Sequence, residues 1–385
     1  MFGSLTNFVV SPDHPVFAEI EGVLFRKADK ALIAFPNGMR TQTYRVPYGI
    51  LAIDDYAFAY SPLMMVTMPD SVTSVGAHAF HYCDSLKSVT LPDSVAFVGE
   101  YAFIGCDMLQ SFTFPASLTT LPANMFYHCD SLSGVTIPLT VTEIEGNPFT
   151  ACKRITEITV APGHPVFRVI DRVLYDTTRK SVIAAPYPSI GSALYTYTVP
   201  DGTVAIAPGA FFGSELESIT IPDSVRVIGK EAFYECTGLE SITLPPQLES
   251  IGEWAFANCT GLTHITIPDS VTFIDACAFN RCSRLRSITL SSGMTAIPDG
   301  FLTNSWRLRG LTIPDGVTTI GDSALAYCDS LGTVEIPAGV TFIAPDAFEK
   351  SPNVTLLVPR ASYARQYAVE HGIAYTYEDA DSWLN

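Results

Sequence analysis

Apolar and polar positions alternate in short runs along this chain, and the runs recur. LKSVTLPDSVAFVGEYAFIGCDM from Leu86, LESITLPPQLESIGEWAFANCTG from Leu239 and LTHITIPDSVTFIDACAFNRCSR from Leu262 share one 23-residue pattern. Its opening piece, L-x-x-I-T-I, alternates inward apolar and outward polar residues as a half-buried strand does. Proline cannot continue a ladder, so Pro245 and its equivalents end that strand. The D-S-V or D-G-V that follows is turn chemistry, and V-x-x-I is a second short extended piece. The A-F-x-x-C piece is too short for a helix to stand alone and is predicted as a helical turn that plugs the core with its Phe. No single unit can close a core, so stacking must bury the Leu, Ile, Val and Phe columns together.

The markers stay in phase over most of the chain. The proline column runs from Pro47 through Pro69, Pro92, Pro115 and Pro138, and again from Pro200 to Pro359 with Ser291 substituting once. A Phe column from Phe58 to Phe348 follows it, with Leu325 in place of one Phe. About a dozen units result. Above this period lies a longer one. The stretch from Leu5 to Pro36 matches the stretch from Ile155 to Pro186, and each copy carries a predicted β-hairpin: Val23, Leu24 and Phe25 against Leu32, Ile33 and Ala34, then Val173, Leu174 and Tyr175 against Val182, Ile183 and Ala184. Because the first copy starts at a strand that in the second follows another repeat, Met1 is read as lying inside a structural unit. Residues 362–372 carry a helix pattern with Ser362 as N-cap and Gly372 as stop, and Ile373–Tyr377 is suited to a last strand.

The expected fold is therefore an α/β solenoid, a right-handed horseshoe or arc. Its parallel sheet is built from 23-residue repeats with short helical turns, two inserted hairpins and a C-terminal cap. It is expected to be one solenoid over residues 1–385. Its sub-blocks are 1–154 and 155–359, each a hairpin module followed by repeats, and the cap at 360–385.

The motif I-P-D-S-V-T-x-I-G-x-x-A-F-x-x-C, the G-V-L-F and R-V-L-Y hairpins and the terminal V-P-R-A-S-Y-A-R-Q-Y-A resemble the BspA-like leucine-rich repeats, a bacterial and protozoal family. The resemblance covers nearly all of the chain. It implies a curved solenoid, secreted or displayed on the cell surface, with some members acting as adhesins. It brings no catalytic residues.

Composition narrows the partners. The net charge is −17, from 22 Lys+Arg against 39 Asp+Glu, which disfavours nucleic acid and anionic membrane. No run approaches the ~20 apolar residues of a membrane helix, and the first residues lack the pattern of a signal peptide. Of nine cysteines, eight fall on the repeat at Cys83, Cys106, Cys129, Cys152, Cys236, Cys259, Cys282 and Cys328, and Cys277 falls off it. Stacked equivalents about 4.8 Å apart suit buried free thiols better than disulfides, whose Cβ atoms lie at ~3.8 Å. Spacing for zinc is absent, the seven histidines do not cluster in sequence, and no nucleophile or phosphate-loop motif occurs. Neither a cofactor nor a metal is expected, nor an enzyme.

Outward strand positions form a threonine column that includes Thr90, Thr113, Thr136, Thr159, Thr220, Thr243, Thr266, Thr289 and Thr312; it reads as a polar platform or as residues that suit a parallel sheet. Basic residues supply the candidate binding site. Arg284 and Arg307 lie one repeat apart, as do Arg286 and Arg309, with Trp306 and Arg281 nearby. Stacked like charges repel and need acidic neighbours or an acidic partner, and Arg and Trp are enriched in binding hot spots. Arg284, Arg286, Trp306, Arg307 and Arg309 are therefore the expected binding residues. The expected protein is a monomeric scaffold that recognises a protein or glycan at the cell surface or after secretion. The alternatives are an architectural spacer within a larger surface protein and, behind it, an enzyme.

Overall fold

A computed structural model describes residues 5–186 and 195–377. Residues 1–4, with the chain start read from sequence, and residues 378–385 of the expected cap lie outside the described residues. The chain divides into two compact units, Met1–Thr178 with Ile183–Ser192, and Arg179–Val182 with Ala193–Asn385. Each is a β-solenoid of stacked parallel strand coils.

Most rungs have two strand sides, the longer strand lapsing around Phe112–Phe114 and Ile242–Leu244, and apolar residues of equal rank pair from rung to rung. In the first unit the short strands align Leu32, Ile53, Val75 and Val98. In the second they align Val182, Ile206, Ile228, Ile251 and Ile274. The longer strands alternate as their sequence requires. In Thr43–Arg45, Met65–Thr67 and Ser88–Thr90, Tyr44 sits on Val66 and Val66 on Val89. In the second unit Leu311, Val334, Leu356 and Tyr375 form the equivalent stack. Most of the threonine column lies in the same ladders, Thr113 and Thr243 falling outside any strand: Thr136 and Thr159 are register partners whose hydroxyls are 2.8 Å apart.

The third side corrects the expected helical turns, and with them the α/β class. The A-F-x-x-C segments are not helical, and the described residues hold a single α-helix, Tyr363–Glu370. Two residues per segment have positive φ, such as Tyr56 and Tyr60, Glu231 and Glu235, or Trp254 and Asn258. An α-helix cannot contain them. The backbone instead alternates its donors. Ala57, Ala59 and Ser61 bond three residues back within the turn, while Tyr56, Phe58 and Tyr60 donate to the carbonyls of Ala77, Ala79 and His81 of the next rung, Phe58 to Ala79 at 2.8 Å. A helix about 10 Å thick on this side would splay rungs that are about 4.8 Å apart at the strands, whereas this corner bonds to its neighbour like a strand.

The corner delivers Phe to the centre of the coil. Phe58, Phe80, Phe103 and Phe126 stack with ring centroids 4.9, 5.2 and 5.5 Å apart and planes within 14° of parallel. Phe211, Phe233, Phe256 and Phe279 repeat this at 5.3, 5.1 and 5.2 Å. All eight are fully buried. Three residues on, each ladder thiol donates to a carbonyl of the preceding rung: Cys83 to Phe58, Cys129 to Phe103, Cys259 to Phe233 and Cys282 to Phe256, at 3.0 to 3.2 Å. Ser351, at the same place, donates to Leu325 at 2.7 Å. The eight ladder thiols are buried and Cys277 is half-buried. The reason for the off-ladder position is now visible: Cys277 occupies the first positive-φ site of its turn.

The first unit also contains antiparallel strand pairings. Phe17–Ile20 pairs with Val23–Arg26, which pairs with Ala31–Ala34, and Phe167–Ile170 pairs with Val173–Asp176. The duplicated histidine sets up both. Val16 and Phe17 N–H donate to His14 Nδ1, as Val166 and Phe167 do to His164 Nδ1 at 3.1 Å. With Nδ1 accepting, His164 Nε2–H donates to Val141 O at 3.0 Å. At the other end, Ser362 Oγ accepts from Arg365 N–H as N-cap, and the helix is followed by the strand Ala374–Tyr377 against Thr355–Val358.

A hydroxyl can replace the ladder thiol, but a methyl cannot. Cys259→Ser should change the stability by less than about 1 kcal/mol, whereas Cys259→Ala, which removes the donor and leaves a void, should cost ~2 kcal/mol. Urea unfolding of the two variants checks this, and equal losses would remove the carbonyl contact from the account. Burial pushes the thiols of Cys236, Cys282 and Cys328 up to about 12, so they stay protonated and unreactive. In the folded protein at about pH 8, near the ordinary thiol range, a thiol reagent should modify Cys277 at most, and all nine cysteines only after denaturation. Rapid native labelling of ladder cysteines, read by mass spectrometry, would contradict this packing.

Candidate functional site

The rung register decides which exposed side chains become neighbours. In the second unit Leu239, Leu262, Leu285 and Leu308 are fully buried at equivalent positions. The residues on either side of each leucine stack into two columns along one edge, with Glu240, Arg284, Arg286, Arg307 and Arg309 exposed. Successive rungs are tied there by backbone bonds: Thr263 N–H to Glu240 O at 3.1 Å, Arg286 N–H to Thr263 O at 2.9 Å and Arg309 N–H to Arg286 O at 3.4 Å.

The five sequence-predicted residues come together on this edge. Arg284 and Arg286 flank Leu285, Arg307 and Arg309 flank Leu308, and Trp306 precedes Arg307. All four arginines are exposed, and Trp306 is 51% exposed. Arg281 is exposed as well and occupies a positive-φ corner. Among the described residues no ion pair neutralises any of these arginines, whereas Arg226 and Lys230 on the same unit engage Glu249 and Glu253. Beside the patch lies a groove of about 440 Å³, lined by Glu217, Thr237, Gly238, Glu240, Gly261 and Arg284. Its floor is two glycines at the position that Arg284 and Arg307 fill farther along. A Cβ on Gly261 would lie 2.5 Å from Thr237 O, so these rungs carry no side chain there.

Two features were not expected from sequence. One is a cleft of about 740 Å³ in the first unit, between the strand Glu157–Val160 and the meander strand Phe167–Ile170. Its arginines are committed to the backbone: Arg168 donates to His164 O and Phe167 O, and Arg172 to Thr156 O. The signal for it is the duplicated H-P-V-F segment, which in this copy follows a complete rung. The other is an aromatic ladder on the corners. Tyr56, His78 and Tyr101 stack at 4.7 and 5.1 Å with planes within 4° of parallel, and His81 packs edge-on against His78, Tyr60 and Tyr82. Histidines scattered in sequence are thus neighbours in space. Among the described residues no group of three or more His, Cys, Asp or Glu could hold a metal ion.

The model of the BspA type leucine rich repeat region matches residues 51–169 and 204–331, in six copies. The chain belongs to the BspA type leucine rich repeat family. No curated protein matches this BspA-type chain. Its coils are similar to those of the pneumococcal vaccine antigen PcpA, with a TM-score of 0.65 and 21% identity over 95% of this chain and 88% of that one. They are similar also to a leucine-rich repeat protein from Eubacterium ventriosum, with a TM-score of 0.62 and 21% identity over 88% and 93%. At that identity the likeness is one of fold. Among the described residues no helix of this BspA-type chain is long and apolar enough to cross a membrane.

Burial and the neighbouring His78 hold His81 below the ordinary histidine range. Its neutral form is therefore the one the fold favours. The stability it contributes is present above about pH 6.5 and is lost as the pH falls through the depressed folded value. Between about pH 7 and pH 5 the thermal midpoint should fall further in the parent than in His81→Asn, measured by circular dichroism. Identical slopes would show that this ring does not titrate with unfolding.

Proposed function

We propose that this protein is a non-enzymatic recognition scaffold whose partner seats on the edge formed by Arg284, Arg286, Trp306, Arg307 and Arg309. The observation that carries the reading is that these arginines stand exposed and without a countercharge among the described residues of a chain with a net charge of −17. Four like charges one rung apart repel, and a protein otherwise so acidic could have neutralised them locally. A bound acidic surface removes the repulsion, and the exposed indole offers the apolar anchor that such interfaces use. The partner is a protein or a glycan presenting acidic groups. Display at the cell surface or secretion fits the pneumococcal antigen among the similar folds. In this reading the antiparallel meanders are insertions in the coil, and the helix with its following strand caps the second unit.

The double variant Arg286→Glu/Arg309→Glu tests the assignment. Against a panel of acidic proteins and of acidic and neutral glycans, any ligand that the parent binds should lose at least tenfold in affinity, as desolvated charge contacts do. Unchanged affinity in biolayer interferometry would move the site off this edge.

A further inference from the structure

The edge is not uniformly basic. Along the column after each buried leucine, the rungs read Glu217, Glu240, Thr263, Arg286, Arg309. Along the column before it they read Glu215, Gly238, Gly261, Arg284, Arg307. Glu215, Glu217 and Glu240 are exposed, and among the described residues they too form no ion pair. The first column is its own complement when reversed: two acids, a neutral centre, two bases. Resting on the reading of this edge as a recognition surface, we propose that its partner is a second copy of this chain, joined about a twofold axis at the rung of Gly261 and Thr263.

A twofold axis lying in the interface along the strand direction keeps each column facing itself and reverses the order of rungs. Glu217 then faces Arg309 of the other copy, Glu240 faces Arg286, and Thr263 faces its own equivalent. In the second column Glu215 faces Arg307. Arg284 faces Gly238, which forms the floor of the groove walled by Glu217 and Glu240. The missing side chains at Gly238 and Gly261 thus make the recess that an arginine from the opposite copy fills. Each contact off the axis occurs twice, as an isologous interface requires, and the Thr263 pair on the axis occurs once. Five rungs at about 4.8 Å span ~19 Å between the outer charges, and this short polar strip is smaller than a standard stable interface. The dimer is consequently weak, salt-sensitive and governed by charge order.

Sedimentation velocity over a concentration series tests this on the full chain. The parent should move from monomer to dimer as concentration rises, with a dissociation constant about tenfold weaker in ~0.5 M salt, where the screening length is a few ångströms. Arg286→Glu/Arg309→Glu alone and Glu217→Arg/Glu240→Arg alone should each stay monomeric, because like charges then face each other. Mixed together, the two variants should associate, since every facing pair along the first column is again opposite in sign, and this recovery also shows that both are folded. A parent that is monomeric throughout, single variants that dimerise like the parent, or a mixture that stays monomeric would each overturn the twofold pairing. Should the parent stay monomeric while Arg286→Glu/Arg309→Glu still abolishes binding to the ligand panel, the recognition surface stands and only self-pairing falls.

Discussion

Each coil of this protein hydrogen-bonds to its neighbours along most of its circuit, and that constraint governs the rest. Two sides meet it with short parallel strands. The third meets it with a corner whose donors alternate between closing its own turn and reaching the neighbouring rung. Buried backbone groups left unpaired would be costly, so the corner accepts left-handed residues rather than leave them. The same geometry brings phenylalanine into a stack with a spacing near 5 Å, and a thiol or hydroxyl back onto the carbonyl of the rung before. The columns of Phe and Cys are one solution to one spacing.

Much of this was legible in the sequence, and the reasons are local. The register could be read because Pro, Phe and Cys recur at a fixed interval, and Thr136 over Thr159 or Ile228 over Ile251 follow from counting alone. The corner was misjudged because A-F-x-x-C has a helix-like apolar spacing. The contrary signal was available: Gly105, Gly209, Gly213 and Gly300 share their positive-φ places with Asn124, Asn258 and Asn304, residues that tolerate that conformation. Tyrosine, tryptophan and glutamate at equivalent places obscure it. The cleft beside Glu157–Val160 was marked in sequence only by the duplicated H-P-V-F segment, since its shape depends on how a meander stands against the preceding rung. The histidine neighbours were hidden because sequence separation says little about adjacency until rungs are stacked.

The arginine edge shows how sequence and structure divide the work. Counting by repeats already placed Arg284 with Arg307 and Arg286 with Arg309. Only the fold shows that these side chains form no ion pair among the described residues, and that glycines carve a recess beside them. The acids at Glu217 and Glu240 belong to the same columns and went unnoticed, because in an acidic chain two more glutamates attract no notice.

The thiol-to-carbonyl contact has a further consequence for how such a molecule can change. The thiol and phenylalanine columns that hold a rung never reach solvent, so many of its outward side chains are left free of that task. An exposed column can be rewritten one residue at a time, in charge or in size, while the buried lattice remains intact. A coil of this kind separates the chemistry that keeps it folded from the chemistry it displays, and new specificity can arise by surface drift without a foldability toll.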